Sequence, residues 1–302
     1  MTNELAEIGR QWDRKIVQVL QTRSIGRQLV PKNMELSGKG IGNTSVKSYG
    51  YKSTADATTD MNIRQDLADS IDVEGKTVLI PIQQDMIEIP RRTFESMKYD
   101  GINVDSDVAM QMAVKVGKEF DKMIIDGWAP DGTNYLVKGF YQIAGNAGAG
   151  SDFGTYGNAV KSVSAAIEAL NTDGVYSDAG YNLVVNPTQY FQLISSQSST
   201  GLREFPQVIE ILNQDATGQP GRVFSTTDLA AAKGLLMPTA TPGNSIYFDY
   251  IEAQQPTNLL KYKNGDTQEG DIIITQRGAA TIRFKHVDSS GVDNSVYKFT
   301  AI

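Results

Sequence analysis

The residues best placed to do acid–base chemistry are the carboxylates Glu119, Asp121, Asp126 and Asp131, which fall in one short stretch of the 302-residue chain. General acid–base catalysis uses such groups when their environments push their pKa values apart. Glu119 and Asp126 stand seven residues apart, on one face if the stretch is helical. Lys115, Lys118 and Lys122 neighbour them at the three- and four-residue spacing of helix-surface ion pairs, and ion pairing is the commoner use of that pattern. The single histidine, His286, could serve a serine as base, but it sits beside Lys285 in a strand-like run. A catalytic site needs convergent nucleophile, base and orienting group, and none is announced. The glycines of Gly38-Lys39-Gly40-Ile41-Gly42-Asn43 could cradle a phosphate. They match neither the Walker spacing nor the Gly-x-Gly-x-x-Gly fingerprint, so the run reads as a connector. With no cysteine in the chain, thiol catalysis, disulfides and cysteine–metal sites are excluded, which fits synthesis in a reducing cytosol. One histidine excludes a two-histidine zinc site within a chain. The expectation is a protein that is not an enzyme, with no catalytic, cofactor-binding or metal-binding residues.

Charge is the stronger signal. The net charge is −7. Residues 1–32 carry Arg10, Arg14, Lys15, Arg23, Arg27 and Lys32 against Glu4, Glu7 and Asp13, so 6 − 3 = +3, and the remaining chain holds −7 − 3 = −10. A basic leading segment on an acidic body points to a polyanion or an acidic neighbour, with a solvated helix face as the equal alternative. No apolar run approaches the ~18 residues of a membrane-spanning helix. Glu4, Glu7, Arg10, Asp13 and Arg14 interrupt any signal-peptide core.

The elements that must position these groups can be read from periodicity. Leu5, Ile8, Trp12, Ile16, Val19 and Leu20 repeat at helical spacing over about Glu4–Thr22. Residues 30–51 read as loop. Two extended segments follow, about Ser53–Gln65 and Lys76–Glu88, joined by a polar stretch. Such an arm is too polar to stabilise itself and needs a surface to lie on. Ile87–Met97 reads as strand and turn. The longest helix is predicted over Asp105–Asp126, with Asp105 or Ser106 as N-cap and an apolar stripe of Val108, Met112, Val116, Phe120, Met123 and Ile124. Ala109, Ala113 and Gly117 form a small-residue strip beside it. The spacing then predicts a glycine-rich loop at Gly145–Gly157, a helix at Asn158–Asn171 and a buried strand at Tyr181–Asn186. Short helices follow from Pro187 and from Pro206. Strands are expected at Arg222–Ser225, Gly234–Met237, Ser245–Tyr250, Leu259–Lys263, Asp271–Val287 and Ser295–Ala301, with Gly278 at a bend or bulge. This order is α+β rather than an alternating βα pattern.

Taken together, these stretches resemble the major capsid proteins of the Hong Kong 97-type fold, in particular their encapsulin-like branch. Trp12 with Ile25-Gly26-Arg27-Gln28-Leu29-Val30 looks like the N-terminal helix and the turn that leaves it. Residues 53–88 look like the family's extended loop, Asp105–Asp126 like its spine helix, and Lys138-Gly139-Phe140 like the element that follows. Tyr181–Pro187 resembles the strand entering the axial domain. The resemblance implies an N-terminal helix and arm at 1–44, an extended β-hairpin loop at 45–88, a peripheral domain at 89–175 and 259–302, and an axial domain at 176–258. It implies self-assembly through pentamers and hexamers into an icosahedral shell. Assembly contacts would come from Trp12, Ile16, Asp56, Thr59, Asn62, Arg64 and Lys76, and DNA-facing positions from Arg10, Arg14, Lys15 and Arg23. The function implied first is that of a tailed-virus major capsid protein enclosing DNA, part of the virion and made in the host cytoplasm, with portal and decoration proteins as further partners and no membrane. The alternative is an encapsulin shell housing a cargo enzyme. Many capsid proteins begin with a long cleaved segment, and with the sequence opening at the arm none is expected here. Some relatives cross-link an arm lysine to a neighbour's asparagine. Lys47, Lys52 and Lys76 lie in or near the arm, where solvated lysines are the expected reading, because reactivity needs a buried amine.

Overall fold

The computed structural model describes residues 24–52, 72–99, 104–175, 179–214, 220–239, 247–263, 270–285, 287 and 291–302. The expected leading helix, with Trp12 and Ile16, and the segment Ser53–Gln65 lie outside them, as does His286.

The organising element is helix α3, Val104–Ile125, preceded by α1 (Ile25–Leu29) and α2 (Arg91–Tyr99). Its predicted stripe is the buried one: Met112, Val116, Phe120, Met123 and Ile124 are all at most 3% exposed. At about 1.5–3 kcal/mol per fully buried large apolar side chain, that stripe holds the helix in place. The helix starts one residue before Asp105, so Asp105 and Ser106 belong to its first turn and neither is the N-cap. It packs on a three-stranded antiparallel sheet of β3 (Ile82–Ile89), β11 (Ile272–Phe284) and β10 (Phe248–Tyr262), in the order β10-β11-β3.

The strands and the helix around this sheet correct four expectations. Lys76–Glu88 is not one strand. Chain pairing changes at Ile80-Pro81, so β2 (Asp72–Leu79) pairs with β1 (Ser45–Lys52) while β3 pairs with β11. Proline supplies no ladder donor, and it stands where the strand leaves one sheet for another. Ser45–Lys52 is therefore strand, where loop was expected. The strands expected separately at Ser245–Tyr250 and Leu259–Lys263 are one strand, β10, with register shifts between Glu252 and Thr257. The irregularity sits on β10. Opposite it, Gly278 lets Pro256 approach to 3.0 Å of where a Cβ would stand. Arg91–Tyr99 is helical rather than extended: Pro90 precedes its first turn, the Arg91 N–H donates to Asp271 at 3.1 Å, and Arg91 pairs with Glu95 one turn on.

After α3 the chain turns back through the short pair β4 (Gly127–Trp128) and β5 (Val137–Lys138) into α4 (Phe140–Ile143). Lys138-Gly139-Phe140 acquires a physical reason here. A Cβ on Gly139 would stand 2.5 Å from the Gly127 nitrogen and 2.6 Å from the Asp126 carbonyl carbon, both backbone atoms that cannot move aside. Phe140 is fully buried, edge-on to Phe248 at 5.0 Å and to Phe284 at 5.2 Å. Gly139→Ala is expected to destabilise the subunit by about 1–3 kcal/mol, the range for overpacking, read as a lower urea midpoint. An unchanged midpoint would mean that the turn relaxes freely.

A five-stranded mixed sheet forms the second layer, in the order β6-β12-β9-β7-β8. Its strands are β6 (Ala144–Ala149), β7 (Tyr181–Val185), β8 (Val223–Ser225), β9 (Gly234–Pro238) and β12 (Asp293–Ala301). The expected glycine-rich loop is partly strand β6, parallel to β12. Its glycines make room for side chains of β12: a Cβ on Gly145 or Gly148 would collide with Asn294 or with the Tyr297 hydroxyl. Helices α5 (Asn158–Thr172), α6 (Pro187–Ser195) and α7 (Glu204–Leu212) belong to this layer, and Val163, Ala166, Leu170, Val208 and Leu212 share one core with Leu183, Leu236 and Phe299. Asn186 caps α6 by accepting from the Thr188 N–H, with Pro187 in the first turn. The fully buried Glu204 ties α7 to its surroundings, accepting from the Val160 N–H at 3.0 Å and the Ser196 hydroxyl at 2.7 Å.

Candidate assembly surfaces

The carboxylates considered for catalysis have structural duties. Asp121 is buried beneath α1. It accepts from the Ser24 hydroxyl (2.5 Å), the Ile25 N–H (3.1 Å) and the Gly26 N–H (2.9 Å). First-turn amides of a helix lack intrahelical acceptors, and here an acid from another helix supplies one. Asp126 accepts from Gln142 at 2.9 Å. Asp131 folds its loop, and the backbone N–H groups of Asn134 and Thr133 hold its carboxyl down at about 2. Glu119 is exposed on α3. Among the described residues no three His, Cys, Asp or Glu side chains group as metal ligands, and no helix is long and apolar enough to cross a membrane.

Asp121 begins an anchor for the chain leaving the N-terminal segment. Gly26 lies so close to α3 that a Cβ would stand 2.7 Å from Ile124 Cδ1. Beyond Gly26, Glu252 of β10 is 1% exposed at its side chain and bonds both Arg27 (2.6 Å) and Lys32 (2.5 Å). The Arg27 guanidinium also lies 5.3 Å from the Phe120 ring centroid. The chain then runs along the edge of β10: the Tyr250 N–H donates to Pro31, and the N–H groups of Asn33, Gly38 and Gly40 donate to Tyr250, Glu252 and Ala253. Asp249 closes the anchor. It accepts from Asn33 at 2.9 Å and pairs with Arg283 and with Lys285 at 3.2 Å. Sequence reasoning missed Glu252 and Asp249. An acid inside the apolar run Tyr250-Ile251-Glu252-Ala253 was the available signal, since a buried charge demands partners.

Two of these acids titrate in opposite senses. Burial pushes the Asp121 carboxyl above its usual 3.8, against the bonds from Ser24, Gly26 and Ile25 and with help from the Asp228 charge. The native state therefore holds that proton more readily than the unfolded chain, and this group adds stability as pH falls. Burial also pushes Asp249 up, but hydrogen bonds from Arg283 and Asn33 and the charges of Arg283 and Lys285 outweigh it, and its value lies below 3.8. Its contribution is present above the unfolded value and is lost as pH falls through the folded one. Asp249→Asn is expected to flatten the decline of thermal midpoint below about pH 4. Parallel acid limbs for variant and wild type would reject this.

The second surface is the β1–β2 hairpin. Its ladder pairs Ser45 with Leu79 through Lys52 with Asp72. Among the described side chains its packing is at the root, where Val46 and Ile80 meet Ile251, Ala253 and Ala279. Eight residues per strand at ~3.3 Å carry the far end roughly 26 Å from that root. Asp56, Thr59, Asn62 and Arg64 lie beyond it, outside the described residues, and the Lys76 backbone pairs with Ser48 within the ladder. Trp12, Ile16, Arg10, Arg14, Lys15 and Arg23 also lie outside. Lys47 is exposed, as expected of a solvated lysine. Large apolar side chains stand bare on both layers. Ile82 and Met86 on β3 and Leu259 on β10 share the outer face of the three-stranded sheet, where the register aligns Met86, Thr275 and Leu259. Phe191 on α6 is 67% exposed.

Comparison with known proteins places this architecture. Residues 6–240 match the Linocin_M18 family model, described as encapsulating protein for peroxidase. No curated protein sequence matches the chain. Among solved structures, the virus-like particle from Pyrococcus furiosus is similar over 97% of this chain and 98% of its own, at 15% identity and a TM-score of 0.60. The capsid of Myoviridae phage XM1 is similar over 92% of both chains, at 12% identity and a TM-score of 0.65. Mycobacterium phage Che8 is similar over 92% of this chain and 91% of its own, at 16% identity and a TM-score of 0.59. These likenesses extend over nearly the whole of each chain, and the chain belongs to the Linocin_M18 family with the Hong Kong 97-type fold.

Proposed function

We propose that the protein is the major capsid protein of a tailed virus, assembling with itself through pentamers and hexamers into an icosahedral shell that encloses DNA. The observation that carries this reading is the hairpin arm: a continuous two-stranded ladder of eight residues per strand, whose described side chains pack at its root. A two-stranded ribbon is marginal alone, and a neighbouring copy supplies the surface it needs. Repeated off-axis contacts of that kind curve and close into shells, and many weak contacts multiply into a stable particle. The similarity to phage capsids over nearly whole chains supports the same reading. The long helix and three-stranded sheet would form the peripheral layer and the five-stranded sheet the axial one. The protein would be made in the host cytoplasm and reside in the virion, with portal and decoration proteins as further partners.

The second reading is an encapsulating shell that houses a peroxidase, favoured by the family model. Charge bears on the choice. Arg27 and Lys32 are committed to Glu252. Residues 1–23 therefore keep Arg10, Arg14, Lys15 and Arg23 against Glu4, Glu7 and Asp13, 4 − 3 = +1, and contact with packaged DNA through the leading segment rests on those four. Particles isolated from the producing cells, treated with nuclease and then extracted, test both readings. Closed shells with protected DNA are expected. Shells that lack nucleic acid and carry a peroxidase would replace the capsid reading with the encapsulating one, and absence of shells would reject both.

A further inference from the structure

The acidic body pairs many of its cations internally: Lys115 with Asp85, Lys263 with Glu88, and Arg283 and Lys285 with Asp249. Lys233 and Lys298 behave differently. Lys233 immediately precedes β9, and Lys298 lies on β12 opposite Leu235 of β9. Their ammonium groups lie 4.5 and 5.8 Å from the centroid of one ring, that of Tyr141 on α4. Neither forms an ion pair among the described residues. The Tyr141 ring packs against the core beneath both layers, so it is a fixed platform, and all three side chains are half-buried at its rim. Ring attraction draws both cations to one place. No described carboxylate forms an ion pair with either lysine, so both ammonium groups keep their capacity for an anion.

We infer that Lys233 and Lys298, gathered on the Tyr141 ring, form a phosphate-binding patch for a nucleic-acid backbone. Lysine ammonium groups bind phosphate as point charges with several donors each, and the Tyr141 hydroxyl adds another polar group on the same ring. Such contacts are independent of sequence and strongly salt-dependent. They also supply cations from the folded body, where the leading segment offers only a small excess. The inference rests on the capsid reading for its biological role, but the binding it describes belongs to the subunit itself.

The test is fluorescence anisotropy of a labelled 30-base-pair duplex with the purified full chain across a series of NaCl concentrations. Lys233→Gln with Lys298→Gln is expected to make the slope of log K against log salt shallower by about 1.8, since each phosphate contact contributes about 0.9. The double Lys→Arg variant is expected to keep the wild-type slope. Each single Lys→Gln variant loses about 0.9 on the same scale, which serves if the double variant does not fold. A wild-type slope in the Gln variants, or no duplex binding by the wild type, overturns the patch. Displacement of the duplex by polyglutamate at equal charge concentration also overturns it, in favour of an acidic protein surface. DNA-free shells combined with the expected slope change would sink the capsid reading and leave the patch standing.

Discussion

Glu252→Ala is expected to unfasten the N-terminal anchor and cost about 3 kcal/mol of subunit stability, near the lower end for breaking a buried ion pair by removing one partner. The carboxylate is 1% exposed and serves two cations at once. Its loss strands Arg27, whose side chain is only 11% exposed and whose Nε already has no partner. Lys32, at 24% exposure, can turn its ammonium toward water, which keeps the cost from the top of the range. Glu252→Gln preserves volume and one acceptor but not the charge, and is expected to cost about half as much. Two readouts should move together: the urea midpoint falls, and a lysine- or arginine-specific protease cuts after Arg27 or Lys32 faster than in wild type. Unchanged cleavage with a lowered midpoint would place the loss in β10 itself and reject the anchor.

That anchor also shows where sequence reading stops. The stripe from Met112 to Ile124, the buried strand Tyr181–Val185 and the helix opened by Pro187 were legible because each is decided within a few residues by periodicity, capping and proline. Asp121 was visible as an acid on the long helix, but its partners Ser24, Ile25 and Gly26 are almost a hundred positions away. No local spacing points to partners that distant. Val78, Ile80 and Ile82 alternate as a strand should, and alternation does not reveal that Pro81 hands the chain from one sheet to another. Periodicity reports which face is apolar, while pairing is settled by residues distant in sequence. The resemblance of Ile25-Gly26-Arg27 and Lys138-Gly139-Phe140 to family elements marked both glycines, and their close backbone approaches explain why those positions suit glycine. The leading helix and the arm's far end lie outside the described residues, so Trp12, Ile16, Asp56, Thr59, Asn62 and Arg64 remain proposals to be tested by assembly.

Replacing residues 53–71 with Asn-Gly is the sharpest such test, and it is expected to give folded subunits that form no closed shells. The β1–β2 ladder is continuous up to Lys52 opposite Asp72, and a two-residue Asn-Gly turn matches the twist of an antiparallel pair. The hairpin can therefore close without strain. Its root contacts at Val46 and Ile80 are untouched, so the thermal midpoint of the subunit should stay close to that of wild type. What is removed is the segment joining the two strands, which we propose lies on a neighbouring copy. If the arm clasps a neighbour, each subunit loses one contact, and the loss is repeated at every equivalent interface of a symmetric particle. Even a modest weakening per contact then shifts the equilibrium from shells to free subunits, seen as loss of large particles in light scattering and in negative-stain images. Shells of wild-type diameter from the shortened chain would show that the clasp lies elsewhere. The bare outer face of Ile82, Met86 and Leu259 would then be the next surface to alter.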